Sequence, residues 1–544
     1  KLTSVETFQI TGTSNKETVV NADASTVAKF VAVENATTTK DVTFTNLAGG
    51  TTIALNSTVD GQAFGAVALS LKDPAGTSDI LNIEVNATSG QGSEIVTSIT
   101  ANDIETINLS SGFVGTTAAL ATDINTVTNA TFGAATKMTI TGDTNLTFSN
   151  AMTASKLKTV DASALTGKLV YVANAVDLDL KSGTKDDTLT FGTTLTIADK
   201  VDGGAGKDTL TATINALGTK AAPAALSIAN VETISLTATT ADSFIDAAGI
   251  TGAEVINIGD ANSAASVAVT LSNLASGVKI GLGGLATDKE FKGTVDLTLA
   301  DATGAADSVT FVLADTASGN DVAAPLKVAA AVENVTIEAN TDATANDASF
   351  TLTDVKSAKV TVTKGNATEV IALGTLSTTT TTVDASTFDG LLSVTGSASA
   401  DTMTVKKGAS GNTIDLGAGN DVLTILDLGA DDAAGGTGED TLNATIKGSV
   451  TEATTGFETI NYTIGNNIQS TVTAANSAGV DVAKVFNLLG GDALTTFAHD
   501  LVSPAALTTY NMGGFTGKST ALTVAATAVD LSAVTLTGSA GDDT

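Results

Sequence analysis

The sequence predicts an all-β chain, a repetitive parallel β-solenoid of β-roll-like modules with few short helices. The first observation behind this is composition. Of 544 residues 42% are hydrophobic but only 4% aromatic, with no Trp and 4 Pro. The apolar residues are mostly Ala, Val, Leu and Ile, set among Thr in short alternating runs that favour strands. Thin stacked coils can bury such side chains without a large aromatic core. The second observation is a set of phrases that recur along the whole chain. The third is a set of glycine–aspartate turns spaced about one coil apart.

The recurring phrases come first. Val5-Glu6-Thr7-Phe8-Gln9-Ile10 returns as Ile104-Glu105-Thr106-Ile107-Asn108-Leu109, Val231-Glu232-Thr233-Ile234-Ser235-Leu236 and Phe457-Glu458-Thr459-Ile460-Asn461-Tyr462. Looser copies begin at Ala253 and Val332. The alternation puts the apolar residues on one face of a strand, with the Glu at its start in a structural role. A second phrase runs from Asp73 through Gly76 to Asp79 and again from Asp301 through Gly304 to Asp307. A third is Thr159-Val160-Asp161-Ala162-Ser163, repeated at Thr382–Ser386 and more loosely at Ala528–Ser532. Glu6, Glu232 and Glu458 are equally spaced, and the steps from Asp79 to Asp307 and from Glu105 to Glu333 are nearly the same. The chain therefore divides into a first repeat unit (1–226), a second (227–452) and a partial, shorter third (453–544). Self-similarity on this scale points to an array and not to a compact enzyme. Ala-rich stretches at 116–130 and 473–489 are the candidate short helices, with Asp123 or Asn476 as caps. The Thr run from Ser377 to Thr382 is a good strand former.

The turns carry the chemistry. Gly203-Gly204-Ala205-Gly206-Lys207-Asp208-Thr209-Leu210-Thr211 fits the nonapeptide G-G-x-G-x-D-x-U-x, in which U is a large apolar residue. Glycines let the backbone turn tightly and bring carbonyls to a cation. The Asp adds a hard charged oxygen that suits Ca²⁺, and Leu210 turns inward to open a strand. Related turns end at Asp187, Asp401, Asp421 and Asp440, the last two with Gly417, Gly419, Gly436 and Gly438. The chain ends in another, with Asp543. The steps from Asp187 to Asp208, from Asp401 to Asp421 and from Asp421 to Asp440 are almost equal in length. Each is slightly longer than two nonapeptides, which make one coil of about 18 residues, so these turns stack on one side. Turns at 408–412 and 429–432 fall on the opposite side. The candidate calcium ligands are thus Asp187, Gly203, Gly204, Gly206, Asp208, Asp401, Gly417, Gly419, Asp421, Gly436, Gly438, Asp440 and Asp543. The second phrase adds Asp79 and Asp307.

Charge and residue content exclude several classes. There are 58 Asp+Glu against 26 Lys+Arg, a net charge of −32, and every basic residue is Lys. That balance opposes a nucleic-acid partner and docking on anionic lipid through a basic patch. With no Cys, the chain has no disulfide, thiolate site or Cys nucleophile. No run approaches the ~18 apolar residues of a membrane-spanning helix. His499 is the single His and there is no G-x-S-x-G elbow, so the expectation is that the chain is not an enzyme. The start lacks a signal-peptide pattern and the end falls inside a motif, so the chain is expected to be a segment of a longer one.

The turns resemble the calcium-binding repeats-in-toxin (RTX) nonapeptides. Together with the Val-Glu-Thr-Ile strands and Ala-Thr-Gly-x-x-Asp turns, the chain resembles the RTX-type surface-layer (S-layer) proteins of Gram-negative bacteria. The resemblance is diffuse over the chain and specific at 203–211 and 416–443. It implies type I secretion, folding on several Ca²⁺ ions outside the cell and self-assembly with copies of the chain into a two-dimensional lattice on the cell surface. It also implies anchoring to lipopolysaccharide, through a region not present here. The alternative is a secreted repetitive calcium-binding adhesin.

Overall fold

A computed structural model of the chain describes residues 5–12, 17–23, 25–34, 40–57, 63–88, 93–114, 122–260, 267–283, 293–304, 306–313, 322–328, 332–339, 348–367, 369–406, 411–429, 431–447, 450–465, 471–476, 482–490, 496–502, 506–516, 519–525, 532, 534–539 and 542–543. The fold is all-β and is a parallel β-solenoid, as the sequence predicts. The chain divides into two compact units, one of Lys1–Thr239 with Ser243–Ile256 and one of Thr240–Asp242 with Asn257–Thr544.

In the first unit, up to Thr209–Ile214, successive strands alternate between two parallel sheets and each pairs with the next but one in sequence; beyond it the short strands Ala224–Ala225 and Ser227–Ala229 come before the next partner, Thr233–Ala238. Thr188–Gly192 pairs with Thr209–Ile214, which pairs with Thr233–Ala238. The other sheet holds strands such as Ile80–Thr88, Thr106–Val114, Lys137–Gly142 and Thr159–Leu165. Period-two alternation sets the inward face. In Thr209–Ile214 the residues Leu210, Ala212 and Ile214 are buried and the intervening Thr residues are half-buried. Parallel register places like above like, so Leu189, Leu210 and Ile234 form one buried column. Full burial of each such side chain stabilises by roughly 1.5–3 kcal/mol, which makes the column the main support of the coils.

The second unit is built in the same way. One column runs through Val360, Val383, Met403, Leu423, Leu442, Ile460, Phe486 and Tyr510. Phe486 and Tyr510 stack at 4.8 Å with their planes 6° apart. That distance is the spacing of adjacent strands, so rings on neighbouring coils lie face to face. Beside this column an amide ladder runs coil to coil. Asn461 donates to Asn443 Oδ1 at 2.8 Å, and Asn487 donates to Asn461 Oδ1 at 2.7 Å.

Two repeated phrases acquire a local structure. In the Thr-Val-Asp-Ala-Ser strands the Asp side chain accepts from the Ser hydroxyl two residues on, at 2.6 Å for Asp161–Ser163 and 2.7 Å for Asp384–Ser386. The ladder register slips at this point in both copies, which makes the phrase a β-bulge.

The expected helices are corrected. The only helical segment in the described residues longer than one residue is a single 3-10 turn, Ala247–Gly249. Where the Ala-rich stretches are described they form strands, Ile124–Thr131, Thr471–Asn476 and Val485–Gly490. Residues 115–121 and 477–481 lie outside the described residues. Parallel partners on both sides override the Ala propensity, as Ile124–Thr131 pairs with Ser93–Thr100 and Asn145–Phe148. The Thr run is likewise a turn: Thr380 N–H bonds to Ser377 O at 3.0 Å, and Ser377 Oγ donates to Val355 O at 2.7 Å.

Candidate metal-binding turns

The described Asp residues of the nonapeptide-like turns are brought into two stacks. Each Asp precedes a core strand and sits one coil from the next. Asp187 N–H donates to Asp208 Oδ1 at 2.7 Å. Asp401 N–H donates to Asp421 Oδ1 at 2.7 Å, and Asp421 N–H donates to Asp440 Oδ1 at 2.8 Å. The steps between these turns in the sequence are therefore coil lengths, and the carboxylates form a ladder along one side.

Three turns share one backbone shape. Their second and fourth positions are glycines with left-handed φ: Gly204 and Gly206 at 86° and 134°, Gly417 and Gly419 at 89° and 146°, Gly436 and Gly438 at 96° and 150°. L side chains are strained there. The turns also press on the preceding coil. A Cβ added at Gly436 would lie 2.0 Å from Gly417 O, and one at Gly438 would lie 1.5 Å from Gly419 O. Bare backbone lines these turns. Asp208, Asp421 and Asp440 are fully buried, and in each Oδ2 has no hydrogen-bond partner. A buried oxygen without a donor costs about 1–3 kcal/mol, more when charged.

Two further turns are built differently. At Asp187 the second carboxylate oxygen accepts from Ser182 Oγ and, at 2.9 Å, from Gly183 N–H. Its first oxygen accepts from Leu169 N–H at 2.7 Å. At Asp401 the oxygens accept from Ser397 N–H at 2.7 Å and Ser397 Oγ at 3.3 Å. On the opposite side, Asp199 takes Leu178 N–H and Thr196 N–H, both at 2.7 Å. Asp431 there takes Asn412 N–H at 2.8 Å and Gly429 N–H at 3.1 Å.

The sequence reading missed the partner of each stack. The Glu of the Glu-Thr phrase accepts the backbone N–H of an Asp one coil earlier. Glu232 takes Asp208 N–H at 2.6 Å, and Glu458 takes Asp440 N–H at 2.7 Å. Glu105 and Glu333 do the same for Asp79 and Asp307, at 3.0 and 2.9 Å. The signal was present as the constant order of Asp turn then Glu-Thr strand. Asp79 and Asp307 are each half-buried beside a glycine of their own phrase. Asp307 Oδ2 accepts from Gly304 N–H at 3.0 Å. Asp79 Oδ2 has no partner and lines a cleft of about 530 Å³ with Asp73, Gly76 and Lys72. Asp543 lies in a two-residue strand, and its side chain is outside the described residues.

Burial dominates the electrostatics of the stacks. It pushes the Asp208 carboxyl up to about 7, against the Asp187 N–H bond and with help from the carboxylates of Asp187, Glu232 and Asp186. Burial also raises Asp187, Asp401, Asp421 and Asp440. A bound cation would reverse this by supplying charge where water is excluded. Among the described residues no three His or acidic side chains gather as a metal cluster. A cation at the partnerless carboxylate oxygen would be completed by backbone carbonyls, an all-oxygen set that fits Ca²⁺ and not a soft metal. The partnerless oxygens and the bare glycine turns fit that group.

No family model, curated protein or solved structure matches the chain. Among the described residues no helix is long and apolar enough to cross a membrane.

Proposed function

We propose that the chain is a structural surface-layer protein that folds on Ca²⁺ and self-assembles into a two-dimensional lattice on the bacterial cell. The observation that carries the calcium part is the buried, partnerless Oδ2 of Asp208, Asp421 and Asp440 in left-handed glycine turns. Calcium supplies the missing positive charge, and because these turns form only on folding, its binding energy becomes folding energy. Asp208, Asp421 and Asp440 would hold the ion with the carbonyls of the glycine turns. The lattice part is supported by the RTX-type resemblance and by parallel coils, whose edges favour contacts between copies. Secretion, an extracellular location and lipopolysaccharide anchoring through another region follow from the same resemblance. The reading assigns no catalytic residue, no nucleic-acid partner and no membrane span.

Circular dichroism and electron microscopy with and without a chelator test it. Ordered sheets or multimers with Ca²⁺, and monomers or partly unfolded chains in chelator, are expected. Identical spectra and particles in both conditions would sink the calcium reading. Ligand binding by calcium-loaded monomers that form no lattice would favour a secreted repetitive calcium-binding adhesin.

A further inference from the structure

The glycine–aspartate turns are not equivalent, and we infer that, of the five at Asp187, Asp208, Asp401, Asp421 and Asp440, only those of Asp208, Asp421 and Asp440 are cation sites. In the other two, donors of the turn itself replace the cation on that oxygen: the Ser182 hydroxyl and Gly183 N–H on Asp187 Oδ2, and the Ser397 N–H on Asp401 Oδ2, with the Ser397 hydroxyl on Oδ1. The inference rests on the calcium reading above and divides its residues.

Three observations bear on the division: two divide all five turns, and the position-two N–H agrees with them in four. The first is backbone handedness. The three Asp208-type turns have left-handed residues at positions two and four. Gly183, Lys185, Ser397 and Ser399 occupy those positions in the other two turns, and none has a positive φ. The second is the position-two N–H. In the sealed turns it bonds the turn's own Asp, from Gly183 at 2.9 Å and Ser397 at 2.7 Å. At Gly204 and Gly417 it bonds instead the Asp that ends the preceding strand, Asp202 at 3.2 Å and Asp415 at 3.1 Å. The third is the carboxylate itself. Asp187 and Asp401 have both oxygens bonded, whereas one oxygen of each of the other three has no donor.

A hydroxyl and a divalent ion meet the same need in different ways. Ser182 and Ser397 give a buried oxygen a hydrogen bond that requires no solute. A cation entering at Asp187 Oδ2 would have to displace both the Ser182 hydroxyl and the Gly183 N–H, and one entering at Asp401 Oδ2 the Ser397 N–H. Each sealed turn also opens its run: Asp187 precedes Asp208, and Asp401 precedes Asp421 and Asp440. Terminal members of repeat arrays are commonly modified as caps, and a metal-independent turn is such a cap.

The test counts bound Ca²⁺ on the full chain by equilibrium dialysis at neutral pH, with circular dichroism in saturating Ca²⁺ as the folding control. Asp208→Asn, Asp421→Asn and Asp440→Asn are each expected to lose a single ion. Asp187→Asn and Asp401→Asn should keep the wild-type count. Loss of an ion in either of these, with wild-type binding intact, overturns the inference and leaves the calcium reading standing. A wild-type chain that binds no Ca²⁺ removes the calcium reading and the inference with it. If an Asn variant unfolds, Ser182→Ala and Ser397→Ala decide. An unchanged count, or one gained ion, supports the hydroxyl as surrogate; one lost ion makes the hydroxyl a ligand and overturns it.

Discussion

Asp208 is fully buried, accepts a single N–H and lies beside the carboxylates of Asp187 and Glu232. Its carboxyl is raised to about 7, from an ordinary value of 3.8. For an acid raised by folding, the folded state holds the proton more tightly, so stability is greatest below the unfolded value and falls as pH rises. In calcium-free buffer the melting temperature is therefore expected to drop between about pH 4 and pH 7. One pKa unit corresponds to about 1.4 kcal/mol, so the loss at this site is bounded on the order of 4 kcal/mol. Saturating Ca²⁺ should flatten the profile; a calcium-free protein that gains stability over this range would contradict the assignment. Glycine gives a second residue-scale prediction. Gly438→Ala places a Cβ 1.5 Å from Gly419 O at φ 150°, whereas Gly192→Ala at φ 52° meets nothing within 4 Å. Gly192→Ala should cost about 1 kcal/mol from φ alone, and Gly438→Ala at least about 2 kcal/mol more from the clash, read as the difference in denaturant midpoints.

At the scale of the element, the Glu-Thr strand is a clamp on the turn one coil before it. Glu458→Ala leaves the Asp440 N–H without its acceptor and should cost about 1–3 kcal/mol. Glu458→Gln keeps an oxygen there and should cost less. Hydrogen exchange at the Asp440 amide checks both, faster in the Ala variant and close to wild type in the Gln variant. Strand identity, inward faces and the stacking of Asp401, Asp421 and Asp440 were all legible in the sequence, because period-two alternation and coil-length spacing are local signals. The clamp was not, because it joins residues a full coil apart whose pairing depends on loop length. Phase was also hidden. The Thr382–Phe388 strand pairs directly with Thr402–Val405, the strand behind the Asp401 turn. Its counterpart Thr159–Leu165 pairs with Asp179–Lys181, in the sheet that does not carry the Asp187 turn. The two repeats thus differ by half a coil, which the nearly constant repeat length does not reveal. The sealing of two turns is hidden for a different reason: a Ser at a turn position does not tell from sequence whether its hydroxyl will bond the turn's own carboxylate, as those of Ser182 and Ser397 do.

Over the whole molecule, each coil bonds its immediate neighbours, so stability is close to a sum of coil and interface terms. Gly206→Ala and Gly438→Ala lie in separate stacks, and their costs should add within about 0.5 kcal/mol. Pairs within one stack, such as Gly419→Ala with Gly438→Ala, should depart from additivity, and urea melts of the single and double variants measure it. A net charge of −32 opposes compaction in calcium-free water, so added monovalent salt should recover part of the stability without restoring lattice order. The register ladder also bears on how such a chain can change over generations. Because the described strands within each unit meet the next coil in parallel along apolar columns, interrupted only by local bulges, excising or duplicating a whole coil leaves two matched faces to rejoin. Removing half a coil would set a strand of one sheet against the other. Recombination among the similar Glu-Thr and glycine–aspartate segments therefore yields foldable products mainly in whole-coil steps. The stretch from Glu458 to Asp530 is roughly half as long as that from Glu232 to Asp384, and the difference has the size of several such steps.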